Sequence, residues 1–131
     1  MALQKIDHVA IEVASVDDFI EKLARTGGVR LLRRGTAVAT GRPIAMLGDR
    51  TGMKVELIEN PDVSGVSFSH LAFGTDNIDA SLSELTGSGW TLLRGPGFIP
   101  AAKAKSALLT GRGLEFQVLE YAPDSPDLAT W

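Results

Sequence analysis

The sequence predicts an α+β fold in which two βαβββ modules form one curved mixed sheet. Three observations lead there. Ile6-Asp7-His8-Val9-Ala10-Ile11 overlays Phe68-Ser69-His70-Leu71-Ala72-Phe73 at a shift of 62 residues. In each copy an alternating, β-branched stretch is followed by a short amphipathic segment and then by further strand-like runs. The order of features also recurs: His strand, helix, Gly, Leu-Leu-Arg, then Gly, two residues, apolar-Glu-apolar. Such order is the mark of a duplicated unit.

The elements follow in turn. Residues 5–13 alternate and read as a strand. Ser15 with Asp18 three on makes an N-cap pair for a helix over 17–25, with Phe19, Ile20 and Leu23 on one face. Gly27-Gly28 stops it. Strands are predicted at 29–34, 42–48 and 53–59, with turn chemistry at Gly48-Asp49-Arg50-Thr51-Gly52. Asn60-Pro61-Asp62 opens a linker. The second copy predicts a strand at 67–75, a helix at 79–86, and strands at 90–95, 104–110 and 113–121. The stretch from Gly95 to Lys103 reads as a long connection, lid or surface loop. The tail from Pro123 reads as irregular and packed on the surface or a partner subunit. The chain is thus a single domain over 1–131, with module 1 at 5–60 and module 2 at 66–122.

A chain of 131 residues with 44% hydrophobic residues can build one core. Its 22% charged residues and net charge of −3 give no reason to expect nucleic acid or an anionic membrane as partner. No apolar run is long enough to span a bilayer, and the N-terminus has no signal-like core. Cys is absent, which excludes disulfides, thiolate metal sites and Cys nucleophiles and fits the cytoplasm. The fourteen Gly suit short strands joined by tight turns.

Side chains alternate along a strand, so residues i and i+2 share a face. Val9, Ile11 and Val13 belong under the first helix, which puts His8, Ala10 and Glu12 on the opposite face. On the repeat strand, His70, Ala72 and Gly74 match that set. On the fourth strand of module 1, Glu56 faces away from the helices. A shift of 59 that superimposes Gly52 on Gly111 makes Glu115 its counterpart. With only two His in the chain, their equivalent placement is informative. Imidazole and carboxylate donors suit Zn, Ni, Co, Fe or Mn. Such a site could bind a substrate through two neighbouring oxygens and stabilise an enolate-like state as a proton leaves carbon. Glu115 or Glu56 could accept that proton, and Glu12 is a further acid–base candidate.

The motifs Lys5-Ile6-Asp7-His8-Val9-Ala10, Met53-Lys54-Val55-Glu56-Leu57-Ile58-Glu59, Ser69-His70-Leu71-Ala72-Phe73 and Gly113-Leu114-Glu115-Phe116 resemble the vicinal oxygen chelate superfamily. That superfamily includes glyoxalase I, methylmalonyl-CoA epimerase, extradiol dioxygenases and antibiotic-resistance proteins. The resemblance implies the glyoxalase-like fold, often a homodimer, and a divalent metal held by His8, Glu56, His70 and Glu115. The His, Glu, His, Glu pattern is most similar to glyoxalase I. The opening Lys-Ile-Asp-His-Val-Ala-Ile-Glu-Val is similar to epimerases, which usually carry Gln where Glu56 stands. The epimerases' second acid–base carboxylate, at the start of the third strand, has no match in Ala39-Thr40-Gly41-Arg42.

The expected function is therefore a metal-dependent isomerase, epimerase or lyase acting on a small molecule with vicinal oxygens. One alternative is an Fe(II)-dependent extradiol-type dioxygenase using His8, His70 and Glu115 with Glu56 unbound. Another is a non-enzymatic, resistance-type protein that traps a small molecule. Arg42, Lys103 and Lys105 are candidates to hold a substrate carboxylate or phosphate. Arg33 and Arg94, which recur between the modules, read as strand-edge charges.

Overall fold

A computed structural model describes residues 3–128. Module 1 comprises β1 (Lys5–Val13), α1 (Val16–Ala24), β2 (Val29–Thr36), β3 (Pro43–Asp49) and β4 (Lys54–Glu59). Module 2 comprises β5 (Val66–Gly74), α2 (Ile78–Gly87), β6 (Thr91–Ile99), β7 (Ala104–Gly111) and β8 (Leu114–Tyr121). The strands form one mixed sheet in the order β2-β3-β4-β1-β5-β8-β7-β6. Within each module the first and last strands pair in parallel, and the modules join by antiparallel pairing of β1 with β5. The two halves therefore meet inside one chain.

The helices start as the sequence predicts. The Ser15 hydroxyl accepts from the Asp18 N–H at 3.2 Å, and the Asn77 side chain accepts from the Ala80 N–H at 3.1 Å. A second device repeats between modules. Glu59 at the end of β4 accepts from the Val16 N–H, and Glu120 on β8 accepts from the Ile78 N–H. Each closing strand thus ties down a donor of its own helix's first turn, which the helix cannot satisfy itself.

Two cores lie between helices and sheet. Phe19, Ile20 and Leu23 of α1 pack over Val13, Ala45, Leu47 and Leu57. Ile78, Leu82 and Leu85 of α2 pack over Leu109, Phe116 and Val118. Phe116 meets the edges of Phe73 and Trp90 at ring-centroid distances of 5.6 and 4.9 Å. Each fully buried side chain of this size contributes about 1.5–3 kcal/mol. The concave side has a smaller cluster of Ala72, Ala102, Ala104 and Leu119.

One sequence expectation changes, and a second is narrowed to one of its alternatives. Much of the stretch expected as a loop after Gly95 is strand: Gly97, Phe98 and Ile99 pair with Ser106, Lys105 and Ala104. Pro96 lacks an N–H and falls in an irregularity of the ladder, after which pairing resumes. The tail is held on the protein. Residues 126–128 form a single 3-10 turn, Lys103 pairs with Asp124, and the Ser125 hydroxyl donates to the Ala102 carbonyl. The remaining tail residues, 129–131, lie outside the described residues.

Candidate metal centre

His8 on β1 and His70 on β5 face each other across the seam between modules, with ring centroids 6.1 Å apart. Glu56 reaches them from β4, where it is the register partner of Ala10. Its Oε1 lies 3.9 Å from the Nε2 of each imidazole. One ligand atom from each residue lies within 4.8 Å of the others. Both Nε2 atoms are buried without a hydrogen-bond partner among the described residues. Buried polar atoms are nearly always satisfied, so two orphans aimed at one point mark a place for a ligand.

The outer atoms of the cluster are held. The Asp7 carboxylate lies 2.7 Å from His8 Nδ1, and the Ser69 hydroxyl lies 2.9 Å from His70 Nδ1. Strict alternation would send both residues to the helix side. The ladder skips Asp7 between Ile6 and His8, and skips Ser69 between His70 and Phe68. A one-residue bulge in each strand thus puts a ring-holding side chain next to its His. Asp7 also accepts from Lys54 Nζ at 2.9 Å and from the Tyr121 hydroxyl at 2.6 Å. Burial pushes the Asp7 carboxyl up, but bonds from His8 and Tyr121 and the Lys54 charge together hold it well below the usual carboxylate range. Burial pushes the His70 imidazole down, against the Glu56 charge, which favours the neutral form a metal needs.

Glu56 is anchored from behind. Its Oε2 accepts from Arg33 Nη2 at 2.8 Å, and Arg33 Nε donates to Asp127 Oδ1 at 2.9 Å. Arg33 does lie on an edge strand, but it is a buried clamp joining β2, β4 and the tail and not a surface charge. Burial raises the Asp127 carboxyl, with Arg33 opposing.

Glu115 does not join the three-residue cluster. It is exposed on β8, where it lines a cavity. The register explains why the repeat misplaces it. Ala10 pairs with Glu56, and its counterpart Ala72 pairs with Gln117. The closing strands therefore correspond at a shift of 61, with Gln117 matching Glu56 and Glu115 matching Lys54. Superimposing Gly52 on Gly111 hid this, because the register puts Gly52 on Gly113, two residues further on. Glu12 lies toward the far end of β1, accepting from the Asn60 amide at 3.2 Å, and is not among the cavity-lining residues. Lys103 and Lys105 pair with Asp124 and Glu120, and neither they nor Arg42 line the cavity.

The cavity, about 460 Å³, is lined by both modules, with most of its residues from the second. Glu56, His70, Glu115 and Gln117 contribute its polar floor, and Val38, Ile44, Phe98 and Leu108 much of its apolar wall. Its size and mixture suit a small molecule. Sequence reasoning missed Asp7, Arg33, Gln117 and Asp127. Of these only Gln117, two residues from Glu115 on the same strand face, left a readable signal.

A paired βαβββ sheet with a His, Glu, His cluster on its concave face defines a scaffold with a possible metal site at the module seam. Residues 7–108 match the family model described as Glyoxalase/Bleomycin resistance protein/Dioxygenase superfamily, and the chain belongs to that superfamily. A probable lactoylglutathione lyase of Vibrio cholerae is 29% identical over 104 residues, covering 74% of this chain and 75% of that protein. The crystal structure of methylmalonyl-CoA epimerase from Mycobacterium tuberculosis superposes with a TM-score of 0.81 at 21% identity, covering 93% of this chain and 91% of that one. A single-residue variant of the Streptomyces coelicolor methylmalonyl-CoA epimerase, in complex with 2-nitronate-propionyl-CoA, gives 0.78 at 22% identity, covering 94% and 98%. These relatives are a lyase and epimerases, and the structural matches bear out the expected fold.

Proposed function

We propose that the protein is a divalent-metal-dependent isomerase, epimerase or lyase acting on a small substrate with vicinal oxygens. The observation that carries this reading is the pair of buried, partnerless Nε2 atoms facing the Glu56 carboxylate beside the cavity. His8, His70 and Glu56 would hold the ion, and two nitrogens with one oxygen suit Zn, Ni, Co, Fe or Mn. Gln117, at the place equivalent to Glu56, is positioned to offer a fourth, neutral oxygen, while its amide nitrogen donates to Ser106. Bound there, a divalent ion would supply Lewis-acid stabilisation of the negative charge that develops when a proton leaves the carbon beside a carbonyl.

The chain's own residues prepare this chemistry. An ionised Asp7 can only accept, so its bond to His8 places the ring proton on Nδ1 and turns the Nε2 lone pair inward. Arg33 holds the Glu56 carboxylate in place. Glu115, exposed at the cavity, would take the substrate proton. The reading includes a homodimer in the cytoplasm, on the strength of the family resemblance and the Cys-free composition.

Metal analysis tests the proposal. We expect about one ion per chain in the purified protein and none in the His8→Ala/His70→Ala variant. Equal, negligible metal in both would sink it. A second reading, an Fe(II)-dependent dioxygenase, draws on the same cluster, since two His and one carboxylate suit non-haem iron. Oxygen consumption with a catechol, seen with Fe(II) and not with Zn, would favour it over the first.

A further inference from the structure

The concave face carries the same arginine twice. Arg33 on β2 and Arg94 on β6 are repeat-equivalent, and both strands bulge just before them. Leu31 pairs with Leu47 and Arg33 with Met46, skipping Leu32; Leu92 pairs with Leu109 and Arg94 with Leu108, skipping Leu93. The duplicated bulge sets the two guanidinium groups at matching places in the two halves.

Their surroundings differ. Arg33 is buried between two carboxylates, those of Glu56 and Asp127. Arg94 has neither: Gln117 stands where Glu56 would be, and the segment that brings Asp127 lies over the other half. Arg94 is exposed and lines the cavity, the only Lys or Arg among the described residues that does so. The acids on the same lining, Glu56 and Glu115, would repel an anion that no cation held.

We propose that Arg94 anchors a carboxylate of the substrate, in the place that Asp127 takes against Arg33. This rests on the cavity being the substrate site and narrows the substrate class: a small molecule bearing a carboxylate besides the oxygens that face the cluster. The planar guanidinium suits that group because it can bond both carboxylate oxygens at once. On this view the Asp127 turn is an internal copy of the bound acid, closing the half-site that is not used.

The test is calorimetric titration of zinc-loaded protein with malonate and with malonamide, which share a three-carbon frame while only malonate carries carboxylates. Malonate should bind the wild type and bind Arg94→Gln roughly tenfold or more weakly, with partial recovery in Arg94→Lys. Malonamide binding and zinc content should not change between wild type and Arg94→Gln. Arg25→Gln, which removes an exposed cation just past the end of α1, should leave malonate binding intact. The proposal is overturned if malonate does not bind the wild type, if Arg94→Gln binds it equally, or if Arg25→Gln weakens it as much. Inorganic phosphate binding more tightly than malonate, and lost in Arg94→Gln, would overturn the carboxylate assignment. Should the wild type hold no zinc, the metal reading fails by itself, and the same titration of metal-free protein still tests Arg94.

Discussion

The two halves of the concave face share a backbone and differ in charge. On the His8 side, Asp7, Lys54, Tyr121, Arg33, Glu56 and Asp127 interlock in a buried ionic network under the tail. On the His70 side the corresponding places hold neutral or exposed groups: Ser69 for Asp7, Gln117 for Glu56, Glu115 for Lys54, Arg94 for Arg33. That side supplies most of the cavity lining. One half supplies the buried mount of the site, and the other most of its opening. Keeping the register preserved the two His, while changing side chains divided the labour.

The sharpest way to break this division is to remove its clamp. Arg33→Met would leave the Glu56 and Asp127 carboxylates buried without their cation. We expect a loss of about 3–5 kcal/mol in urea unfolding. The repeat-equivalent Arg94→Met, on an exposed side chain, should change stability by no more than about 0.5 kcal/mol. Comparable losses would show that the halves are not divided as described.

Next in size is the pair that holds the rings. Asp7→Asn should weaken metal binding by roughly 10–100-fold, because a carboxylate behind a ligating His raises its basicity and fixes its tautomer. Ser69→Ala, which removes only a neutral hydroxyl, should weaken it less. Competition with a chromogenic chelator reads both, and a larger effect from Ser69→Ala would reverse the assigned roles.

A smaller difference belongs to acid. The folded-state pKa of Asp7 lies below its ordinary value of 3.8, so its contribution is full above that value. It is lost as pH falls toward the folded value, where the native state resists taking the proton that the unfolded chain accepts. Asp127 is shifted the other way and is present in both proteins compared. Thermal melts from pH 5 downward, roughly the window of such a shift, should therefore fall more steeply for the wild type than for Asp7→Asn. Parallel curves would show that Asp7 carries no such linkage.

Much of the fold could be read from residue order. The alternation of β1, the caps at Ser15 and the recurrence of His8 as His70 need only local pattern. The site was legible as far as alternation holds. Asp7 escaped because a bulge carries it across the sheet. Arg33 escaped because its partner Asp127 is 94 residues away in the chain. Glu115 stood in for Gln117 because two glycines, Gly111 and Gly113, flank the last turn, and the strand register matches the second of them to Gly52. β6 was cut short because Gly95 and Pro96 spell a turn, although pairing resumes beyond them.

The seam between β1 and β5 is where the duplicated halves are joined, and the cluster sits on it, with His8 and Glu56 on one side and His70 on the other. An ion held there would act as a cross-link between two folding units, as a disulfide does in a chain that has cysteines. Because it would bind the docked halves and not the separated ones, loading at a thousandfold over its dissociation constant would add about 4 kcal/mol to their association. Chelation would loosen the joint before it melts either core.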